Sequence, residues 1–269
     1  MSNKCGSFAG SIKHLNIDMK KTVLFLAALC LSLGLRAADD SDTLTVRVDG
    51  MHCDHCAHKV KTLLKKSEGV DKVMTNIERH TVTIAYDPAV VTADTLQARL
   101  AATKRYAPVP YSPADVIAAE TGLHIDDMHC GKCANRITAR LEQVEGVDSI
   151  IPHVGKHYVT VKYDANKTSK AIIRQTVLDA GYTPVAHYKS EAASYAYFLL
   201  PEDKADDAAA DAALLVEGVD DVAVNSRRHA MAVTFDNRKT TADKILTQLV
   251  AQGIPAQVPP PHECKEEKK

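Results

Sequence analysis

The chain has 269 residues, 45% hydrophobic and 25% charged, with a formal net charge of −1. These fractions are those of ordinary globular proteins and exclude collagen-like, coiled-coil and wholly disordered chains. The near-neutral charge provides no cationic excess for a phosphate backbone. Aromatics at 5% without a Trp argue against a base-stacking platform, so nucleic acid is not an expected partner. Length alone predicts two domains at about 150 residues each. Seven cysteines are an odd number in a chain too long for a small disulfide scaffold, so their spacing decides their meaning.

The first segment in chain order is an address. Lys20-Lys21 precedes an apolar run over 23–35, which ends at Arg36-Ala37-Ala38 before Asp39-Asp40. A basic start, a short hydrophobic stretch and small residues at the cut make a secretory signal peptide. The run has 13 residues, fewer than the ~20 of a membrane span. Residues 1–38 are therefore expected to be a leader, with Met19 as the true start. The product would be exported, periplasmic or extracellular, and membrane-associated if the leader is retained. Cleavage removes Cys5 and Cys30 and leaves 28 basic against 33 acidic residues, with five cysteines in an oxidising compartment.

The remainder repeats itself. Met51-His52-Cys53-Asp54-His55-Cys56 recurs as Met128-His129-Cys130-Gly131-Lys132-Cys133, and Glu68-Gly69-Val70 as Glu145-Gly146-Val147, both at an offset of 77. Tyr106 matches Tyr182 at 76, so one residue has been gained or lost between. A third copy carries Glu217-Gly218-Val219 and Phe235-Asp236, 72 residues beyond copy two. In copy one, alternation over 44–48 predicts a strand, and Val60, Leu63 and Leu64 predict a helix closed by Gly69 at its C-cap. Strands follow over 70–77 and 81–86, turned by Glu78-Arg79-His80. A helix over 92–103 is capped by Thr92, and a last strand covers 106–111. The expected fold class is α+β, with three tandem ferredoxin-like βαββαβ domains, each an antiparallel sheet with two helices on one face. Their expected bounds are 42–112, 119–189 and 194–258, before a disordered tail over 259–269.

Through Met51-x-Cys53-x-x-Cys56 and Met128-x-Cys130-x-x-Cys133, each at the end of a first strand, residues 42–188 resemble the heavy-metal-associated domain family. That family comprises soluble metallochaperones and metal-binding domains of copper-transporting ATPases. The resemblance implies that Met51 and Met128 pack beneath the cysteine loop, and that Tyr106 and Tyr182 shield the metal without ligating it. It also implies a partner that is a metal transporter or a metal-acceptor protein with cysteine ligands.

The chemistry of the motif follows from its spacing. Two sulfurs at a helix start can turn toward one point, and the helix N-terminus favours thiolates. A pair of thiolates suits a soft two-coordinate ion, above all Cu(I), with Hg(II) as an alternative. Zn(II) wants four ligands. His52, His55 and His129 are candidate further ligands, although His52 and His129 occupy the place where zinc-selective relatives often carry an acid.

In copy three Cys130 falls on Glu202 and Cys133 on Ala205, so a fold without metal ligands is expected. Its first helix is read as acidic, with Glu202, Asp203, Asp206, Asp207 and Asp211, against Lys59, Lys61, Lys65 and Lys66 in copy one. An intramolecular contact between copies three and one is the expectation drawn from that contrast. Cys264 on the tail is left without an assigned role. The expected function is capture and transfer of Cu(I) by thiolate exchange, without enzymatic activity. The alternatives are Hg(II) or Zn(II) binding, or a thiol-disulfide oxidoreductase using the same pairs.

Overall fold

The structure, a computed structural model, describes residues 41–260; the expected leader and Cys264 lie outside them. Unit one runs β1 (Asp42–Asp49), α1 (Asp54–Lys65), β2 (Val70–Asn76), β3 (Thr81–Tyr86), α2 (Ala93–Ala101) and β4 (Ala107–Pro110). Its antiparallel sheet has the order β2-β3-β1-β4. Alternation in β1 turns Val46 and Val48 inward, and α1 and α2 meet them with Val60, Leu64, Leu96 and Leu100. Both helices thus cover one sheet face. Thr92 Oγ1 accepts from the Thr95 N–H at 3.3 Å and starts α2.

Unit two repeats this with β5 (Ala118–His124), α3 (Gly131–Leu141), β6 (Val147–His153), β7 (Tyr158–Asp164), α4 (Lys170–Asp179) and β8 (Val185–Ala186). Its sheet order is β6-β7-β5-β8. Both units are α+β and ferredoxin-like.

Two expectations change. The helix of copy one does not end on Gly69: α1 closes at Lys65 with Lys66 as a right-handed C-cap. Gly69 lies in the following turn at φ +79°, where a Cβ would stand 2.7 Å from Val90 Cβ. Glycine is needed there for its dihedral and for the close approach.

The third copy departs further. It contains β9 (Ala193–Leu199), α5 (Asp207–Leu214), β10 (Val219–Asn225), β11 (Ala230–Asp236) and α6 (Ala242–Ala251), with the sheet order β10-β11-β9. The fourth strand is reduced to one bridge, Leu199 to Gln257. The acidic run is also divided. Glu202–Lys204 form a 3₁₀ turn and Asp206 caps the helix through the Ala209 N–H, leaving Asp207 and Asp211 on α5.

This unit packs on unit two rather than on the basic helix of unit one. Every residue of β11 is buried because both of its faces are covered. Met231, Val233 and Phe235 meet the helices of unit three, whereas Ala232 joins Ala223 against Val185 of unit two. Thr234 Oγ1 donates to Ala186 O at 2.9 Å, and Arg174 holds Asp221 at 2.8 Å.

Unit one reaches unit two through its β2–β3 turn. Glu78 Oε1 accepts from Tyr163 O–H at 2.6 Å and from the Lys170 N–H at 2.8 Å, which caps α4 from outside the unit. Arg79 Nε donates to Ala165 O at 2.8 Å.

Candidate metal centre

Each cysteine pair sits where a first strand hands over to a helix. Cys53 and Cys130 are the N-caps of α1 and α3, in extended backbone, and the second cysteine of each pair lies in the first helical turn. Cys53 and Cys130 carbonyls accept from the Ala57 and Ala134 N–H groups at 2.9 and 3.1 Å, so the loop enters the helix without a break. The thiols therefore stand at the positive end of a helix.

Sγ atoms are 3.1 Å apart in the Cys53–Cys56 pair and 3.4 Å apart in Cys130–Cys133. All four cysteines are free thiols. Two sulfurs on one ion stand at most ~4.6 Å apart, given a metal–sulfur bond of ~2.3 Å. Both separations lie within the span that two sulfurs on one ion can have.

One thiol of each pair is acidified. Cys56 is lowered to about 7, first by its hydrogen bond with Cys53 and then, against burial, by the His52 backbone, Arg105 and Tyr106. In unit two it is the outer thiol, Cys130, that is lowered, first by the Cys133 backbone and then by the Cys133 thiol. Cys53 is exposed and Cys56 buried, whereas Cys130 and Cys133 are both half-buried.

Met51 and Met128 are fully buried in the cores beneath the loops. Tyr106 and Tyr182 are also buried, and neither hydroxyl has a hydrogen-bond partner of regular geometry. Burial raises the Tyr106 phenol first and the charge of Cys56 second. Tyr182 is pushed up to about 12 by burial and then by Cys133. A buried O–H beside the inner sulfur is a donor suited to a thiolate, which supports the fit of a soft metal to the pair.

The histidines stand elsewhere. His52 is exposed and meets His80 edge to face at 5.1 Å, and His129 meets His157 at 5.7 Å. His55 is exposed on α1. Among the described residues no group of three His, Cys, Asp or Glu is arranged to hold a metal ion, so neither sulfur pair has a third side-chain ligand in place.

Sequence reading missed a second register of the repeat. His80, His157 and His229 all adopt left-handed backbone, at φ 53°, 54° and 50°. Their carbonyls accept from Val48, Ile125 and Leu200 N–H groups, each at 2.7 Å, and so fix the end of each first strand. Their recurrence at offsets of 77 and 72 was the available signal. Arg105 was also missed: Nη2 donates to Cys56 Sγ at 3.6 Å, and its guanidinium lies 5.6 Å from the Tyr106 ring centroid.

A family model described as heavy-metal-associated domain matches residues 45–105 and 123–183. Over 139 residues the chain is 28% identical to a copper-exporting P-type ATPase of Bacillus subtilis (strain 168), covering 52% of this chain but 16% of that protein. It is 26% identical over 156 residues to heavy metal-associated isoprenylated plant protein 9 of Arabidopsis thaliana, covering 53% of this chain and 49% of the relative. The chain thus spans a small part of the transporter and about half of the plant protein. Among solved structures, the N-terminal soluble domains of Bacillus subtilis CopA are 26% identical, with 57% of this chain and 99% of that chain covered at a TM-score of 0.26. Residues 45–105 and 123–183, a little under half of the chain, are thus each similar to the heavy-metal-associated domain.

Proposed function

We propose that the chain is a non-enzymatic Cu(I) carrier, exported behind a cleaved leader, with two metal-holding domains and a third domain that carries no ligands. Its partner would be a metal transporter or another acceptor with cysteine ligands. The observation that carries this reading is the duplicated pair of free thiols, each at a helix N-terminus beside a buried tyrosine hydroxyl. Two thiolates per site match the low coordination number of a soft monovalent ion, and the name of the Bacillus subtilis relative concerns copper export.

Transfer is ligand exchange without redox change. An acceptor thiol loses its proton as its sulfur joins the ion, and a three-coordinate intermediate forms. One cysteine of this chain then leaves and regains a proton. The exposed Cys53 is the sulfur an acceptor meets first in unit one.

Titration of the reduced protein with Cu(I) against a competing chelator tests the proposal. Two equivalents are expected in the parent, one after Cys53→Ser with Cys56→Ser, and none when Cys130→Ser and Cys133→Ser are added. Uptake that survives all four substitutions, or preferential retention of Zn(II) or Hg(II), overturns the Cu(I) assignment. Catalysed disulfide reduction without metal uptake replaces it with an oxidoreductase.

A further inference from the structure

The two cysteine sites are not equivalent, and the difference lies in how the tyrosine beside each is covered. From N-cap to tyrosine, unit one runs from Thr92 to Tyr106 and unit two from Ser169 to Tyr182, so the loop of unit one is one residue longer. The left-handed position is Lys104 in one and Gly181 in the other, which leaves Arg105 as the residue without a counterpart. That arginine lies over the Tyr106 ring. Gly50 makes room for it: a Cβ there would stand 2.3 Å from Arg105 O.

In unit two the position of Gly50 is taken by Asp127, 95% buried, whose carboxylate accepts from the Thr183 N–H and Oγ1–H at 3.2 and 3.3 Å. The face of Tyr182 is nevertheless covered by a cation. The Arg228 guanidinium, from the β10–β11 turn of unit three, lies 5.4 Å from the ring centroid, and Nη1 is 4.0 Å from Asp127 Oδ2. The turn is anchored by Asn225, also 95% buried. Its Nδ2 donates to Tyr182 O at 2.9 Å, and its Oδ1 accepts from the Arg227 and Arg228 N–H groups at 3.2 Å each.

We propose that unit three completes the second metal site, with Arg228 supplying Tyr182 from another unit the cation that Arg105 supplies Tyr106 from the preceding residue. This inference rests on the Cu(I) reading. A Cu(I) ion on two thiolates carries a net negative charge, so a cation at the shielding tyrosine favours the loaded over the empty site. Loss of Arg228 also leaves the buried Asp127 without its counter-ion, and that charge acts in the same direction. Arg228 is a positioning residue that works through Tyr182. Unit three, stripped of its own ligands, thereby has a role in metal holding.

The test uses the full chain in two backgrounds, Cys53→Ser/Cys56→Ser to report site two and Cys130→Ser/Cys133→Ser to report site one, each titrated with Cu(I) against a chelator. Arg228→Gln is expected to weaken site two by about two- to fivefold, the equivalent of an exposed cation–aromatic contact, and to leave site one unchanged. Arg105→Gln should give the mirror result, and Arg228→Lys should restore most of the loss because the charge is kept. Parent affinity at site two in Arg228→Gln overturns the proposal. So does equal weakening at both sites, or a failure of Arg228→Lys to rescue. If neither parental background takes up Cu(I), the metal reading falls and this inference with it.

Discussion

The acidified thiol of unit one gives a measurable consequence that requires no metal. Cys56 is lowered from 9.0 to about 7, with the Cys53 thiol as the first cause. At pH 7 about half of Cys56 would then be thiolate, against about 1% for a thiol at the ordinary value. Thiolate absorbance in the ultraviolet, recorded against pH in protein that keeps Cys53 and Cys56 and carries serine at its other cysteines, should show a first thiolate with its midpoint near 7. Absorbance is the right probe because it does not need reagent to reach the buried sulfur. In Cys53→Ala the donor at 3.1 Å is gone and the midpoint should climb toward 9, whereas Arg105→Gln should raise it by less. The stability sign follows. A thiol lowered by folding stabilises the native state fully above its unfolded value near 9, and that contribution fades as pH falls through about 7. A parental midpoint near 9, or one unmoved by Cys53→Ala, refutes the assignment of the hydrogen bond as the cause.

Two further outcomes concern the scaffold. Glu78→Ala removes the acceptor shared by the Tyr163 hydroxyl and the Lys170 N–H, and should cost about 1–3 kcal/mol in urea denaturation. Tyr163→Phe added to it should cost little more, and strictly additive losses in that double-mutant cycle would show that the contact carries no energy. Gly69→Ala forces a side chain into left-handed backbone against Val90 and should destabilise by about 1–3 kcal/mol, read as a lowered melting temperature. An unchanged melting temperature would show that the turn relaxes around it.

Local pattern carried most of what was legible. Two-residue alternation in β1, helical spacing of Val60 and Leu64, and the Thr92 cap are short-range properties, and residues a few places apart suffice to express them. The cysteine pairs were legible for the same reason, since only two residues lie between the cysteines and a helix start fixes their relation.

What sequence could not supply was the partner of each unit. Charge contrast between Lys-rich α1 and the acidic run of copy three suggested a contact, but exposed charges are screened and rarely choose a docking face. Packing chose it instead. Small side chains at Ala223 and Ala232 let the outer sheet face of unit three close on Val185, and Asp127 and Asn225 are buried polar groups that must be paired. Arg228 reaches Tyr182 as a result, across 46 positions of sequence that no periodicity connects. The sequence by itself determined the duplicated cysteine pair and the fold around it. Tertiary structure decided that the two sites differ, because a one-residue change in a loop is answered by a residue from another unit, and only packing in space brings the two together.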